Sequence, residues 1–109
     1  MGRMVIVAYK PKSGQQEALR RLVREHVATL RSERLVSDRV PITMEAQDGT
    51  VVEVFEWESP AAIQSAHTNP VVLRMWGQFA EVCDFIPIGQ VAEAANLFSE
   101  FAPIEGVRA

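Results

Sequence analysis

Two alternating segments on either side of Asp48-Gly49 constrain the fold of this chain more than any other feature. Apolar and polar side chains alternate in residues 37–46, and they alternate again in residues 50–58. A period of two is typical of β-strands, and an Asp-Gly pair between two such segments is a strong hairpin signal. The sequence therefore predicts two neighbouring antiparallel strands.

The segments before and after this hairpin predict the rest of the architecture. The β-branched run MVIVAY at residues 4–9 predicts a strand, and apolar positions spaced along one helical face predict a helix over residues 15–32. Ser59-Pro60 and Asn69-Pro70 each indicate a helix start, because a capping side chain precedes a proline at the first helical position. The predicted elements that follow are helices over 60–67 and 71–83, a short helix near 89–95, and a final strand over 97–104.

The order strand, helix, strand, strand, helix, strand is that of the ferredoxin-like βαββαβ arrangement. We therefore predict an α+β fold with a four-stranded antiparallel sheet and helices on one face. Pro41 and Pro103 fall in the two predicted edge strands, which is where prolines within strands are tolerated.

Size and charge narrow the class of protein. A chain of 109 residues is expected to form a single domain over 1–109, and a net charge of -3 gives no electrostatic reason to expect a nucleic-acid partner. No apolar run reaches the roughly 18 residues of a membrane span, and the first residues lack the apolar core of a signal peptide. With one cysteine an intrachain disulfide is excluded, so the expected location is cytoplasmic.

The strands are apolar on both faces, which predicts a partner for the sheet. Met4 and Ile6 point one way along the first strand, and Val5 and Val7 point the other way. Two helices cover one face, so a lone protomer would expose several hundred Å² of apolar surface on the other, more than monomers usually expose. The sequence therefore predicts a two-fold homodimer through the sheet face.

The chain resembles the dimeric α/β-barrel superfamily, in particular its antibiotic-biosynthesis-monooxygenase-like branch. The resemblance covers nearly the whole chain and is carried by VIVAY, EHVATLR, GTVVEVFEWES with AAIQSAH, and FSEFAPI. It implies a dimeric α/β barrel with a ligand cleft in each protomer, between the helices and the sheet. It does not fix the reaction, because relatives include cofactor-free oxygenases, haem-degrading enzymes, isomerases and proteins of unknown role.

Five residues are candidates for such a cleft. His67 is the first choice for a catalytic base and His26 the second, because a histidine titrates near neutral pH. An apolar box for an aromatic ligand would be supplied by Trp57, Trp76 and Phe79. Each also has a purely structural interpretation. Core packing would explain His26, Trp76 and Phe79, which lie on apolar helix faces. His67 is placed to bind carbonyls at a helix end, and Trp57 suits a sheet or dimer interface.

The sequence is compatible with three functions. The first is a monooxygenase that needs no cofactor and acts on a phenol or quinol. The second is a non-enzymatic dimeric module that binds a small aromatic or apolar ligand. The third, haem degradation, is disfavoured. Haem-degrading relatives carry a tryptophan and a histidine at positions that correspond approximately to Ala66 and Trp76 here. They also carry an asparagine in the first strand, and residues 4–9 contain none. No metal site is expected, because two histidines and one cysteine offer no ligand spacing.

Overall fold

A computed structural model of the protein describes residues 1–108 as an α+β fold in which three helices pack on a five-stranded sheet. All strand pairs are antiparallel, and the strand order is β4-β1-β3-β2-β5. The strands are β1 (Arg3–Pro11), β2 (Ile42–Glu45), β3 (Val51–Trp57), β4 (Cys83–Ile86) and β5 (Ala102–Pro103). The helices are α1 (Gln16–Ser32), α2 (Pro60–Ala66) and α3 (Pro70–Val82).

The predicted hairpin is present, and its turn depends on Gly49. Gly49 has φ +91°, a conformation that residues with a Cβ rarely adopt. The carboxylate of Asp48 accepts a hydrogen bond of 2.9 Å from the backbone N–H of Thr50, and this bond holds the pKa of Asp48 below its usual range. The Asp-Gly signal therefore identified both the position and the chemistry of the turn.

Both predicted helix starts are confirmed. The Ser59 hydroxyl accepts a hydrogen bond from the backbone N–H of Ala62 at 3.0 Å, and Pro60 begins α2. The Asn69 side-chain oxygen accepts from the backbone N–H groups of Val71 and Val72, at 2.9 and 3.2 Å, ahead of α3. These bonds satisfy backbone donors that a helix leaves free at its first turn.

The prediction of a four-stranded sheet is wrong, because the sheet has five strands. Cys83–Ile86 forms β4 beside β1, although the apolar spacing of α3 continues to Cys83 and predicts that the helix ends there. The segment predicted as the fourth strand forms only the short β5, which pairs with β2 at the opposite edge. The prediction that Pro41 lies in an edge strand is wrong, because β2 is interior and begins at Ile42, one residue after Pro41. Pro103 does lie in an edge strand, β5.

The two faces of the sheet are covered differently. The helices pack over one face, and the buried stripe of α1 there comprises Leu19, Val23, His26, Val27 and Leu30. On the other face, residues 88–101 cover Ala8 and Val52. The rest of that surface, formed by Met4, Ile6, Ile42 and Val54, is called the open face below. Met4, Ile6 and Ile42 are 58%, 54% and 58% exposed on it.

Among residues 1–108 no helix has the length and apolar character that crossing a membrane requires.

Candidate active site

A cavity of about 290 Å³ lies between the helices and the helix-covered face of the sheet. Strands β1, β3 and β4 form its floor, while α1 and α3 each contribute one side chain to its wall. Its lining is almost wholly apolar or aromatic and consists of Val5, Val7, Tyr9, His26, Phe55, Trp57, Trp76 and Phe85. This composition suits a small aromatic or apolar ligand, and a few polar groups would fix its orientation.

The polar groups of the cavity wall belong to a buried cluster around Glu53. One carboxylate oxygen, Oε1, lies 2.8 Å from His26 Nδ1 and 2.8 Å from the Tyr9 hydroxyl. Glu53 and Tyr9 come from adjacent strands and His26 from the middle of α1, and all three side chains are buried. The alternation of β3 places Glu53 on the same face as Phe55 and Trp57, which directs the carboxylate toward α1.

Trp76 indicates which nitrogen of His26 carries the proton. The indole Nε1 of Trp76 lies 3.3 Å from His26 Nε2, and an indole N–H can only donate. Nε2 therefore accepts, and Nδ1–H donates to Glu53. The carboxylate that accepts from Nδ1–H fixes the tautomer of the ring, so the lone pair of Nε2 faces the cavity wall. This is the arrangement of a histidine base with an orienting acid.

Glu53 lies where a purely structural sheet would place an apolar residue. It is fully buried, and its second oxygen, Oε2, has no hydrogen-bond partner among the described residues. Burying a carboxylate with an unsatisfied oxygen opposes folding, because the group loses hydration that the protein only partly replaces. A buried acid that keeps one oxygen unsatisfied while its other oxygen orients a histidine at a cavity is a candidate functional group.

The phenol of Tyr9 is held in its protonated form. Burial raises the pKa of Tyr9 well above its usual value, and the neighbouring Glu53 carboxylate raises this pKa further. Tyr9 therefore keeps its proton and donates a hydrogen bond to Glu53 Oε1 throughout the neutral range. Its ring also packs against Phe79, with the centroids 5.0 Å apart.

Tyr9 gives a prediction for stability at high pH. Since its pKa is raised in the folded protein, the folded state retains a proton that the unfolded chain releases above about pH 10. The contribution of Tyr9 to the free energy of unfolding should be full below about pH 10 and decline above it, by up to about 1.4 kcal/mol per pH unit. Tyr9 is the single tyrosine, so tyrosinate absorbance during an alkaline titration reports it alone.

The matched variant for this measurement is Tyr9→Phe. Burial also raises the pKa of Cys83, to about 11, so this thiol adds an alkaline decline of the same sign in both proteins. The difference between wild type and Tyr9→Phe should therefore isolate the tyrosine. Tyrosinate absorbance that rises near pH 10 while the protein stays folded would contradict the buried hydrogen bond.

The structure brings three of the five predicted site residues to the cavity. His26, Trp57 and Trp76 line it. Phe79 is fully buried behind the wall, with its ring centroid 5.1 Å from that of His26, so it supports the histidine from the side. His67 is exposed, and its Nδ1 donates to the Ile63 carbonyl at 2.8 Å. Its ring contacts Trp76, with the centroids 5.4 Å apart, and His67 is not among the cavity-lining residues.

Sequence reasoning missed Glu53 and Tyr9 as site residues. Both lie within predicted strands, and neither is among the five candidate residues named from the sequence. One signal was available, since Glu53 interrupts an otherwise apolar strand face between Val51 and Phe55. Val5, Val7, Phe55 and Phe85 were also missed as lining residues, because alternation alone does not say which face of a sheet a helix covers.

The chemistry of the cavity wall does not resemble a metal centre. Within residues 1–108 no three His, Cys, Asp or Glu side chains are grouped so that they could hold an ion. Glu53 and His26 are bonded to each other, and the other lining residues are apolar or aromatic. Acid–base chemistry on a bound ligand fits these residues better than metal binding.

Comparison with known proteins supports the fold. The structure is similar to that of Rv0793 from Mycobacterium tuberculosis, with a TM-score of 0.64 and 22% sequence identity, covering 79% of this chain and 89% of that chain. At this identity the similarity concerns the fold alone. No family model matches the chain, and no curated protein matches it.

Proposed function

We propose that the protein binds a small aromatic molecule in the cavity and oxygenates a phenol or quinol without a cofactor. One observation carries this proposal: the buried His26–Glu53 pair, with a distance of 2.8 Å, lies at the wall of an apolar cavity. A phenol needs a base to remove its hydroxyl proton and an apolar pocket around its ring. The site offers both in one place.

The chemistry can be written with the protein's own groups. His26 Nε2 takes the hydroxyl proton, and Glu53 stabilises the imidazolium that forms. The electron-rich phenolate then passes an electron to O₂, and recombination forms the new carbon–oxygen bond. A phenol plus O₂ gives a quinone plus water, so the organic substrate supplies all four electrons and no external reductant is needed.

His26 is a better base than His67 in this proposal. Only His26 has a carboxylate partner and lines the cavity, whereas His67 is exposed and bonded to the carbonyl of its own helix. A candidate base must come within hydrogen-bond reach of the proton that it removes. Neither Lys nor Arg lines the cavity, so the preferred substrate is an uncharged aromatic.

The assembly forms part of the same proposal. The order β4-β1-β3-β2 with helices on one face supports a ferredoxin-like unit to which β5 adds an edge strand. The open face exposes three large apolar side chains, Met4 and Ile6 on β1 and Ile42 on β2, which flank β3 and its Val54 on either side. A second copy of the chain, sheet against sheet, would bury this surface and form a dimeric α/β barrel of the antibiotic-biosynthesis-monooxygenase-like kind.

Oxygen uptake tests the proposal. Wild type should consume O₂ with some members of a panel of naphthols and hydroquinones, and His26→Gln should lower kcat/KM by about 10²–10⁴-fold, which is the usual contribution of a general base. The comparison variant is His67→Ala, which removes the other histidine. A loss confined to His67→Ala would assign the base to His67. Unchanged turnover in His26→Gln would contradict the role of His26.

The second candidate is a binding module without catalysis. The bond from Trp76 to His26 Nε2 favours it, because the lone pair that a base needs is occupied in this structure. Calorimetric binding of naphthols by wild type, with no O₂ uptake across the panel, would select this alternative.

A further inference from the structure

We infer that Trp76 is a catalytic residue whose indole N–H binds the oxygen of the ionised substrate while His26 Nε2 takes its proton. The inference rests on the proposed function, because it assigns a role to a second group at the same cavity. The aromatic ring of Trp76 by itself would suggest only a role in apolar packing.

The two nitrogens are complementary to a hydroxyl group. His26 Nε2 can only accept in this tautomer, and Trp76 Nε1 can only donate. A phenol hydroxyl donates through its hydrogen and accepts through its oxygen, so one hydroxyl satisfies both nitrogens. In the structure these atoms satisfy each other, at a distance of 3.3 Å. A substrate hydroxyl would replace this one bond with two, one to each nitrogen.

Insertion of an oxygen requires Trp76 to move by a small distance. For an oxygen to lie about 2.8 Å from each nitrogen, the distance between Trp76 Nε1 and His26 Nε2 must increase from 3.3 Å to roughly 4.5–5 Å. Trp76 is only partly buried, and its ring lies against the exposed ring of His67. His26, in contrast, is fixed by Glu53 and by the ring of Phe79. We therefore expect the indole of Trp76, and not the imidazole of His26, to move when the oxygen enters.

The proton-transfer step balances without another reactant. The substrate O–H bond breaks, and its proton forms the new N–H bond at His26 Nε2. The electron pair stays on the substrate oxygen, which becomes a phenolate and accepts the Trp76 N–H. The imidazolium remains paired with Glu53 through Nδ1–H. A hydrogen bond to a charged oxygen is stronger than one to a neutral hydroxyl, so Trp76 favours the ionised state over the neutral one.

The ionisation of bound 4-nitrophenol tests this role directly, because its phenolate absorbs visible light and its phenol does not. Spectra of the bound probe are recorded across pH for wild type, Trp76→Phe, Leu73→Ala and His26→Gln. Trp76→Phe keeps an aromatic ring and loses the N–H donor. Leu73→Ala is the control, because it changes a side chain on the same helix that is 48% exposed and does not line the cavity.

Trp76→Phe should lower the ionisation constant of the bound probe by on the order of ten-fold or more, while Leu73→Ala should leave it as in wild type. An ionisation constant that is unchanged in Trp76→Phe, but lowered in His26→Gln, would overturn the role of Trp76 and leave the proposed base intact. A probe that wild type does not bind, or whose ionisation is unaffected in both variants, would overturn the base and the donor together.

Discussion

Glu53→Ala is expected to lower the free energy of unfolding by about 3 kcal/mol. The substitution removes the acceptor shared by His26 Nδ1–H and the Tyr9 hydroxyl, and both donors remain buried. A buried donor without a partner costs about 1–3 kcal/mol, and the missing side chain leaves a void in addition. The substitution also removes the buried Oε2 oxygen that has no partner, which offsets part of this loss. The expected change is therefore smaller than the costs of the two unpaired donors and the void added together.

Denaturant unfolding at equal protein concentration measures this effect against two other variants. Glu25→Ala removes a half-exposed glutamate that pairs with Arg108, and it should change the free energy of unfolding by less than about 1 kcal/mol. Glu53→Gln retains an acceptor for the two donors and should fall between wild type and Glu53→Ala. If Glu53→Ala were as stable as Glu25→Ala, the cluster would contribute nothing to the fold, and the Tyr9 and His26 contacts would need another explanation.

Ile6→Lys is expected to convert the proposed dimer into a folded monomer at micromolar concentration. Ile6 lies on the open face opposite Val54, which in turn lies opposite Ile42. Two-fold symmetry would bring two lysines into one largely apolar interface. The neighbouring carboxylate on this face, Glu56, is already paired with Arg39. Charge burial and like-charge repulsion of several kcal/mol would raise the dimer Kd by about a thousand-fold.

Sedimentation velocity of wild type and two variants tests this expectation. Leu73→Lys serves as the control, because Leu73 is 48% exposed on α3 and its exposure is close to that of Ile6. That control should sediment as wild type does, and Ile6→Lys should retain the wild-type circular dichroism spectrum. A wild type that sediments as a monomer would refute the dimer, and a dimeric Ile6→Lys would move the interface away from the open face.

Three of the five site residues named from the sequence line the cavity. The sequence identified His26, Trp57 and Trp76, because an unusual residue within an apolar pattern can be recognised without coordinates. It ranked His67 above His26, because neither histidine shows in sequence whether a carboxylate faces it. Glu53 is 27 positions away from His26, and only the packing of α1 on β3 makes them neighbours.

The sequence by itself determined the elements whose signals are local: the Asp48-Gly49 turn, the capped starts of α2 and α3, the long α1, and the apolar character of both sheet faces. Each depends on side chains a few positions apart, so neighbouring residues are enough to specify it. Tertiary structure alone decided that Cys83–Ile86 leaves α3 to pair with β1, and that β5 closes the other edge. It also decided that Tyr9, His26, Glu53 and Trp76 meet at one cavity, because contacts between distant segments depend on how the helices pack across the sheet.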